Sequence, residues 1–178
     1  MDPHVSDTDA VRSSIGQGTN NYAPVQLARY VTTIANEGNC YDLTLVNEIK
    51  NIDGRTVYKS DNVPKNTVDL TDSQWAVIKQ GMRQMVSEHT SPSALINQIN
   101  VNVAGKTGTA EEDTTRPDHA LFVSFAPYEN PEVSVTCVIP HGYTSGNAEE
   151  LAGMVYAYMY DPDKLDTLDI TGNNQMSD

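Results

Sequence analysis

Residues 103–111 read Val-Ala-Gly-Lys-Thr-Gly-Thr-Ala-Glu, an apolar run that ends in a lysine, two threonines and a glycine. Lys106 at the end of a strand offers a compact cation suited to a carboxylate, and the Thr107 hydroxyl can donate or accept a hydrogen bond. Gly108 lets a substrate backbone lie close to the strand. The backbone N–H of Thr109 is predicted to point outward, where it can stabilise an oxyanion. The alternative is a structural strand edge whose threonines reflect β-propensity.

Three strands are predicted around this segment. Val101–Ala104 leads into it as the first strand, and His119–Ala126 is apolar on both faces, which is typical of a central strand. Glu132–Ile139 alternates between apolar and polar residues, so one of its faces is buried. Because only the turn Tyr128–Pro131 separates the last two strands, we expect them to pair antiparallel.

Two helices are predicted before these strands. The first spans about residues 24–37, with Pro24 in its first turn and Gly38 placed to end it. The second spans about residues 72–88 and begins at a capping box of Thr71 and Gln74. The expected buried faces are Leu27, Val31, Ile34 and Ala35 in the first helix and Trp75, Ile78, Met82, Met85 and Val86 in the second.

A third helix is predicted over residues 148–160, with Asn147 as N-cap, Glu150 completing the cap and Asp161-Pro162 ending it. Its expected buried face is Leu151, Met154, Val155, Tyr158 and Met159. A short helical piece is also expected near residues 94–99. These patterns predict secondary structure from the spacing and size of apolar side chains.

A hairpin is predicted between the first two helices. Two β-like runs, Leu43–Lys50 and Arg55–Lys59, flank the turn Asn51-Ile52-Asp53-Gly54, whose Asp-Gly pair is a strong hairpin signal. Residues 60–70 are expected to be a polar linker. The fold class is therefore α+β, an antiparallel sheet with packing helices and a small hairpin.

Length and composition bound the remaining possibilities. The 178 residues suit one domain, divided into a disordered lead-in (1–12), a folded part (13–162) and a frayed tail (163–178). Lys and Arg number 11 against 24 Asp and Glu, which gives a formal charge of -13. Without a basic cluster, nucleic acid is excluded as an expected partner.

Several other features are predicted to be absent. Cys40 and Cys137 fit no metal spacing, so Cys137 is expected to be a buried thiol, although a disulfide between the two stays open. The histidines form no paired-ligand pattern, and we expect no metal and no cofactor. The polar, acidic start, residues 1–9, resembles neither a signal peptide nor a spanning helix.

The ordered motifs resemble class B penicillin-binding proteins, the peptidoglycan D,D-transpeptidases. Lys106-Thr107-Gly108 matches the K-T-G signature of the penicillin-binding and serine β-lactamase superfamily. Other blocks similar to the family occur in the family's order: Ser14-Ile15-Gly16-Gln17-Gly18, Pro24-Val25-Gln26-Leu27-Ala28, Asn36-Glu37-Gly38, Gly81-Met82-Arg83-Gln84-Met85-Val86, Phe122-Val123-Ser124-Phe125-Ala126-Pro127 and Asn130-Pro131-Glu132-Val133. The resemblance covers roughly residues 13–160.

Two of the family's signatures do not match. Its nucleophilic serine lies in S-x-x-K, yet no lysine of this sequence follows a serine by three positions. The S-x-N signature has two literal matches in the wrong order, Ser60-Asp61-Asn62 after the G-Q-G segment and Ser145-Gly146-Asn147 after K-T-G. The chain is therefore identified as the C-terminal part of a transpeptidase domain, with the nucleophile expected upstream.

The resemblance also implies roles and partners. In the parent protein Lys106 would hold the carboxylate of a D-Ala-D-Ala stem peptide or a β-lactam, Thr107 would bind it or relay protons, and Thr109 N–H would supply half the oxyanion hole. Such proteins act on the extracytoplasmic face of the bacterial membrane. The chain alone is expected to be inactive. The missing N-terminal part of the same domain is an expected partner of the chain. The alternative is a non-catalytic ligand-binding or self-associating module that reuses the fold.

Overall fold

The computed structural model describes residues 11–13, 16, 18, 21–88, 95–111 and 115–165. Its elements are α1 (Pro24–Ala35), β1 (Asn39–Cys40), β2 (Glu48–Lys50), β3 (Thr56–Lys59), β4 (Asn66–Thr67), α2 (Asp72–Glu88), β5 (Ala104–Ala110), β6 (His119–Ala126), β7 (Val133–Ile139), α3 (Ser145–Tyr160) and α4 (Pro162–Leu165). The α+β class with an antiparallel sheet is confirmed.

The main sheet has the order β5-β6-β7, and both pairings are antiparallel. Strand β6 is central and coincides with the predicted bounds, because its two apolar faces are both covered. Strand β5 begins at Ala104, so the prediction of a strand from Val101 is wrong. The carbonyl of Val103 is instead bonded to the Arg83 side chain from α2.

The two faces of the sheet pack against different sets of helices. One face meets α1 and α2 in a small cluster of Val31, Ile34, Trp75, Met82, Ala104 and Phe125. The other face meets α3 and the C-terminal turns of α2 in a larger cluster that includes Val86, Phe122, Ala120, Cys137, Ala148, Ala152 and Tyr156. Cys137 and Cys40 are both free thiols, and burial raises the pKa of the Cys137 thiol. The predicted inward face of β7 is confirmed by Cys137 and its neighbours.

The predicted buried face of α3 is wrong except for Met154, which is partly buried and packs against the larger cluster. Leu151, Val155, Tyr158 and Met159 are exposed, and the buried face consists of Gly146, Ala148, Glu149, Ala152, Gly153, Tyr156 and Ala157. Small side chains allow the helix backbone to approach the sheet closely, and this outweighs the larger apolar area on the outer face.

The predicted cap of α3 is also wrong. The helix begins at Ser145, and Thr144 is the N-cap, with its hydroxyl accepting from Gly146 N at 3.5 Å. Asn147 lies inside the first turn, where its side-chain amide donates to Gly142 O at 2.8 Å. This amide therefore closes the loop before the helix instead of capping it.

The ends of α1 and α2 follow from local residues. Helix α1 ends at Ala35, and Gly38 follows with φ +97° and its N–H on Thr33 O at 2.9 Å, a conformation that favours glycine. At α2 the capping box is confirmed, with Thr71 N donating to Gln74 Oε1 at 2.9 Å and Gln74 N to Thr71 Oγ1 at 3.3 Å. Ile78 is 37% exposed and does not belong to the buried face.

The predicted hairpin is confirmed in a shorter form. Strand β2 pairs with β3, and the Asn51 side chain accepts from the N–H groups of Asp53 and Arg55 across the turn. The predicted linker 60–70 is not entirely irregular, because Asn66–Thr67 pairs with Asn39–Cys40. This small pairing brings the end of α1 beside the chain that enters α2.

Three predictions about peripheral segments can be compared with the structure only over the residues that it describes. Residues 95–98 form turns, so a helical piece at 94–99 is wrong for the part that is described. Residues 11–13 are helical, and the rest of the lead-in lies outside the described residues. Residues 163–165 belong to α4, whereas the tail after Leu165 is outside the described residues. Among the helices described, none has the length and apolarity needed to cross a membrane.

A buried hydrogen bond joins α3 to the sheet and predicts that the free energy of unfolding falls at alkaline pH. Ser124 Oγ donates to Val135 O at 3.1 Å and lies 3.0 Å from the Tyr156 hydroxyl, and burial raises the pKa of Tyr156. Since the folded pKa exceeds the unfolded pKa of about 10, the stabilisation is complete below about pH 10 and is lost as pH rises toward the folded value.

We therefore expect the free energy of unfolding to fall above about pH 10. Urea denaturation at a series of pH values measures this, and Tyr156→Phe should flatten the decline. Tyr158→Phe on the exposed side of the same helix is the matched control. An equal decline in wild type and Tyr156→Phe would contradict the assignment.

Candidate active site

The K-T-G residues lie along an edge strand. Among the described strands, β5 pairs only with β6, in a register that places Lys106 opposite Val123 and Thr107 opposite Phe122. Paired residues share a face of the sheet. The side chain of Lys106 therefore leaves the strand on the face of the small cluster, and that of Thr107 leaves it on the opposite face. A ligand that contacts both side chains must therefore lie along the free edge of β5.

The Lys106 side chain is exposed and bends back over its own strand. Its Nζ donates to Thr107 O at 2.8 Å. No acidic side chain forms an ion pair with it among the described residues. The ammonium is thus held near the strand edge by one neutral acceptor, which leaves its remaining hydrogens for an anionic group.

The Thr107 hydroxyl has a weak partner. Its Oγ1 lies 3.9 Å from Met85 Sδ on α2, and a thioether is a poor acceptor. The hydroxyl can therefore exchange this contact for a stronger bond to a carboxylate at little cost. Met85 was predicted only as a core residue, so its contact with the site was missed.

Gly108 and Thr109 complete the strand edge. A Cβ at Gly108 would meet only Leu121 Cβ, at 3.5 Å, so the strand is open at this residue. Thr109 is exposed and lies opposite Ala120. The four predicted site residues therefore follow one another along one strand, with the lysine, the hydroxyl and the open backbone in reach of an extended ligand.

Three further polar residues follow the K-T-G segment in the chain. His119 is opposite Ala110 at the far end of β5, and its Nδ1 accepts from His141 N at 3.1 Å. Arg116 and Glu111 are exposed in the segment between β5 and β6.

The two S-x-N matches are placed by the structure in other roles. Ser60 follows β3 at the end of the surface hairpin, where its N–H donates to Asn47 O at 2.8 Å. Ser145-Gly146-Asn147 is the first turn of α3. Both matches therefore contribute to local structure, one closing the hairpin and the other starting a helix.

No metal cluster is found in the described part of the chain, where no three His, Cys, Asp or Glu side chains come together as ligands. The absence of a metal or cofactor stays a prediction. The groups along the edge of β5 are one cation, hydroxyl groups and backbone amides. These groups can bind an anionic ligand and stabilise developing negative charge.

Comparisons with known proteins agree with this arrangement. The family model of the penicillin binding protein transpeptidase domain matches residues 3–159. Penicillin-binding protein 2B of Streptococcus pneumoniae is 34% identical over 142 residues, covering 74% of this chain and 21% of that protein. The peptidoglycan D,D-transpeptidase MrdA of Acinetobacter baumannii is 27% identical over 166 residues, covering 84% of this chain and 24% of that protein.

Solved structures show the same likeness. Penicillin-binding protein 2B from S. pneumoniae superimposes with a TM-score of 0.74 at 30% identity, covering 89% of this chain and 28% of that chain. Penicillin-binding protein A from M. tuberculosis, in its imipenem acyl-enzyme complex, gives a TM-score of 0.71 at 26% identity and covers 83% of this chain and 33% of that chain.

This chain belongs to the penicillin-binding protein transpeptidase domain family. It spans about a fifth to a quarter of the length of the S. pneumoniae and A. baumannii relatives. The resemblance drawn from the ordered motifs, and the fold that it implied, are confirmed. The match covers part of the domain in each solved relative.

Proposed function

We propose that this chain supplies the K-T-G wall of a D,D-transpeptidase cleft. The observation that carries the proposal is the exposed Lys106 ammonium beside the weakly bonded Thr107 hydroxyl on a strand edge. Lys106 binds the carboxylate of the ligand, Thr107 shares that carboxylate or relays a proton, and Gly108 lets the extended ligand lie against the strand. Thr109 N–H serves as one oxyanion donor.

The nucleophile is proposed to lie in an S-x-x-K segment outside these 178 residues. Its serine attacks the carbonyl between the two D-Ala residues of a stem peptide, the terminal D-Ala leaves as an amine, and an acyl-enzyme forms. An amine of a second stem then attacks the ester and releases the serine. A β-lactam is proposed to acylate the same serine by opening its ring. The M. tuberculosis relative described above is itself an imipenem acyl-enzyme complex.

The partners of this wall are therefore a D-Ala-D-Ala stem peptide, β-lactams and the nucleophile-bearing part of the same domain. The site of action is proposed to be the extracytoplasmic face of the bacterial membrane. The acidic charge of -13 disfavours nucleic acid.

A second candidate, a non-catalytic self-associating module, is favoured by one observation. The outer face of α3 exposes Leu151, Val155, Tyr158 and Met159, and contiguous apolar surface promotes association. Two measurements distinguish the candidates. A self-associating module should sediment as a dimer of defined size, and it should also fail to complete an acylating site in a longer polypeptide.

The test of the first candidate is covalent labelling with a fluorescent penicillin. The 178-residue chain should form no adduct, whereas a polypeptide that joins it to the upstream sequence of its gene should form one adduct per molecule. A stoichiometric adduct on any serine of the shorter chain would contradict the placement of the nucleophile. Failure of the longer, folded polypeptide to label would contradict the transpeptidase proposal itself.

A further inference from the structure

The guanidinium of Arg83 joins helix α2 to the start of strand β5. Its Nη1 donates to Val103 O at 3.2 Å, and its Nη2 donates to Asn102 Oδ1 at 2.9 Å. Val103 is 1% exposed and immediately precedes the first residue of β5. The planar fork thus fixes two acceptors on successive residues, a geometry that an ammonium cannot reproduce.

Asn102 extends this contact to the turn after β6. Its side-chain amide donates to Glu129 Oε1 at 2.5 Å, and its backbone carbonyl accepts from Tyr128 N at 2.8 Å. The hydrogen bond from Asn102, with a smaller contribution from the charge of Arg83, lowers the pKa of Glu129 below its usual value. Three segments of the chain, α2, the approach to β5 and the turn after β6, therefore meet at one polar network.

This network lies close to the K-T-G residues along the strand. Val103 precedes Lys106 by three residues, which is about 10 Å at the usual rise of a strand. Helix α2 also contacts β5 through Met85 and the Thr107 hydroxyl, and its Met82 packs with Ala104 in the small cluster. These contacts are apolar or weakly directional, so the hydrogen bonds of Arg83 supply the directional constraint on the strand relative to α2.

We propose that Arg83 is a positioning residue for the Lys106–Thr109 edge. It does not reach the ligand but holds the approach to β5, so that the lysine and the outward amides occupy a fixed place beside α2. This proposal rests on the function proposed above for that edge. Without Arg83, the buried carbonyl of Val103 loses its side-chain partner and the start of the strand gains freedom.

Lys79 provides a matched control on the same helix. Its side chain is 12% exposed, and its Nζ forms an ion pair with Glu37 at 2.9 Å. Lys79→Met therefore removes a positive charge and one contact of α2, as Arg83→Met does, but the lost contact is to the turn after α1 instead of the approach to β5. A purely structural role of Arg83 predicts similar consequences for the two variants.

The first test uses amide hydrogen exchange on the 178-residue chain and needs no activity. Arg83→Met should speed exchange of the Lys106–Thr109 amides by about 10-fold or more, relative to Lys79→Met at matched thermal stability. Arg83→Lys should give an intermediate value, because it retains the charge and loses the fork. Equal exchange in Arg83→Met and Lys79→Met would overturn the proposal.

The second test measures the rate of β-lactam acylation in the longer polypeptide. Arg83→Met should lower that rate by about 10- to 100-fold, since small displacements of positioned groups have effects of this size, and Lys79→Met should leave it near wild type. An unchanged rate in folded Arg83→Met would refute the positioning role. If wild type itself does not acylate, the function proposal fails, and the exchange test still decides whether Arg83 orders this edge.

Discussion

Lys106→Ala should lower acylation by a fluorescent penicillin about 100-fold in a polypeptide that carries the nucleophile, because a charge-assisted hydrogen bond to the ligand carboxylate is lost. The wild-type ammonium is exposed and bonded only to the neighbouring Thr107 carbonyl within the described residues. Its removal therefore leaves no buried partner unsatisfied. The thermal midpoint of unfolding should stay within about one degree of wild type, as for most surface substitutions.

The control for this substitution is Lys59→Ala, which removes an equal charge from the exposed strand β3. It should change neither the labelling rate nor the fold. Lys106→Arg keeps the charge but replaces a compact ammonium with a broad planar group, so partial labelling is expected. Labelling of Lys106→Ala at the wild-type rate would contradict the role proposed for Lys106.

The strands and first helices were predictable because their signals are local. The doubly apolar run His119–Ala126 indicated a central strand, and the alternation of Glu132–Ile139 indicated its partner. Thr71 with Gln74, and Asp53-Gly54, specify a cap and a turn through contacts a few residues apart. Because such contacts join residues that are close together in the chain, the sequence alone locates them.

Helix α3 shows where this reasoning fails. Its larger apolar residues, such as Leu151 and Val155, lie outward, whereas Ala152 and Gly153 face the interior. Periodicity predicts a helix but does not decide which of two faces packs better against a given surface. In α3 the close approach of the helix backbone to the sheet determines which face is buried, and this approach depends on the shape of the opposing sheet.

The candidate site likewise has one part that the sequence predicts and another that it does not. Lys106, Thr107, Gly108 and Thr109 are consecutive, so one motif predicted all four. The network of Arg83, Asn102 and Glu129 joins residues 19 and 27 positions apart. Nothing in the local pattern indicates it, because its members meet only after α2 and the two strands have packed.

Gly105→Ala and Gly108→Ala should have opposite effects, although both add one methyl group to β5. A Cβ at Gly105 would lie 2.5 Å from Phe122 Cζ and 2.8 Å from its Cε2, and 3.0 Å from Ser124 Cβ. Phe122 and Ser124 are completely buried, so neither can move aside freely. We expect Gly105→Ala to lower the free energy of unfolding by about 1–3 kcal/mol, measured by urea denaturation.

The clash can be tested by removing its other partner. Phe122→Leu lacks the ring atoms that the new methyl would meet, so it should relieve part of the Gly105→Ala defect. A double-mutant cycle should give a favourable coupling of about 0.5–3 kcal/mol, which is the range for residues in contact. Strict additivity of the two changes would contradict the steric explanation.

Gly108→Ala meets only Leu121 Cβ at 3.5 Å, which is ordinary contact. Since the backbone there suits an L-residue, stability should be unchanged or raised by about 0.4–1 kcal/mol. The new methyl nevertheless stands on the strand edge where the ligand backbone is proposed to lie, so acylation in the longer polypeptide should fall. Gly105 thus serves the packing of the sheet and Gly108 the approach of the ligand, and a Gly108→Ala variant that is stable and fully active would refute that division.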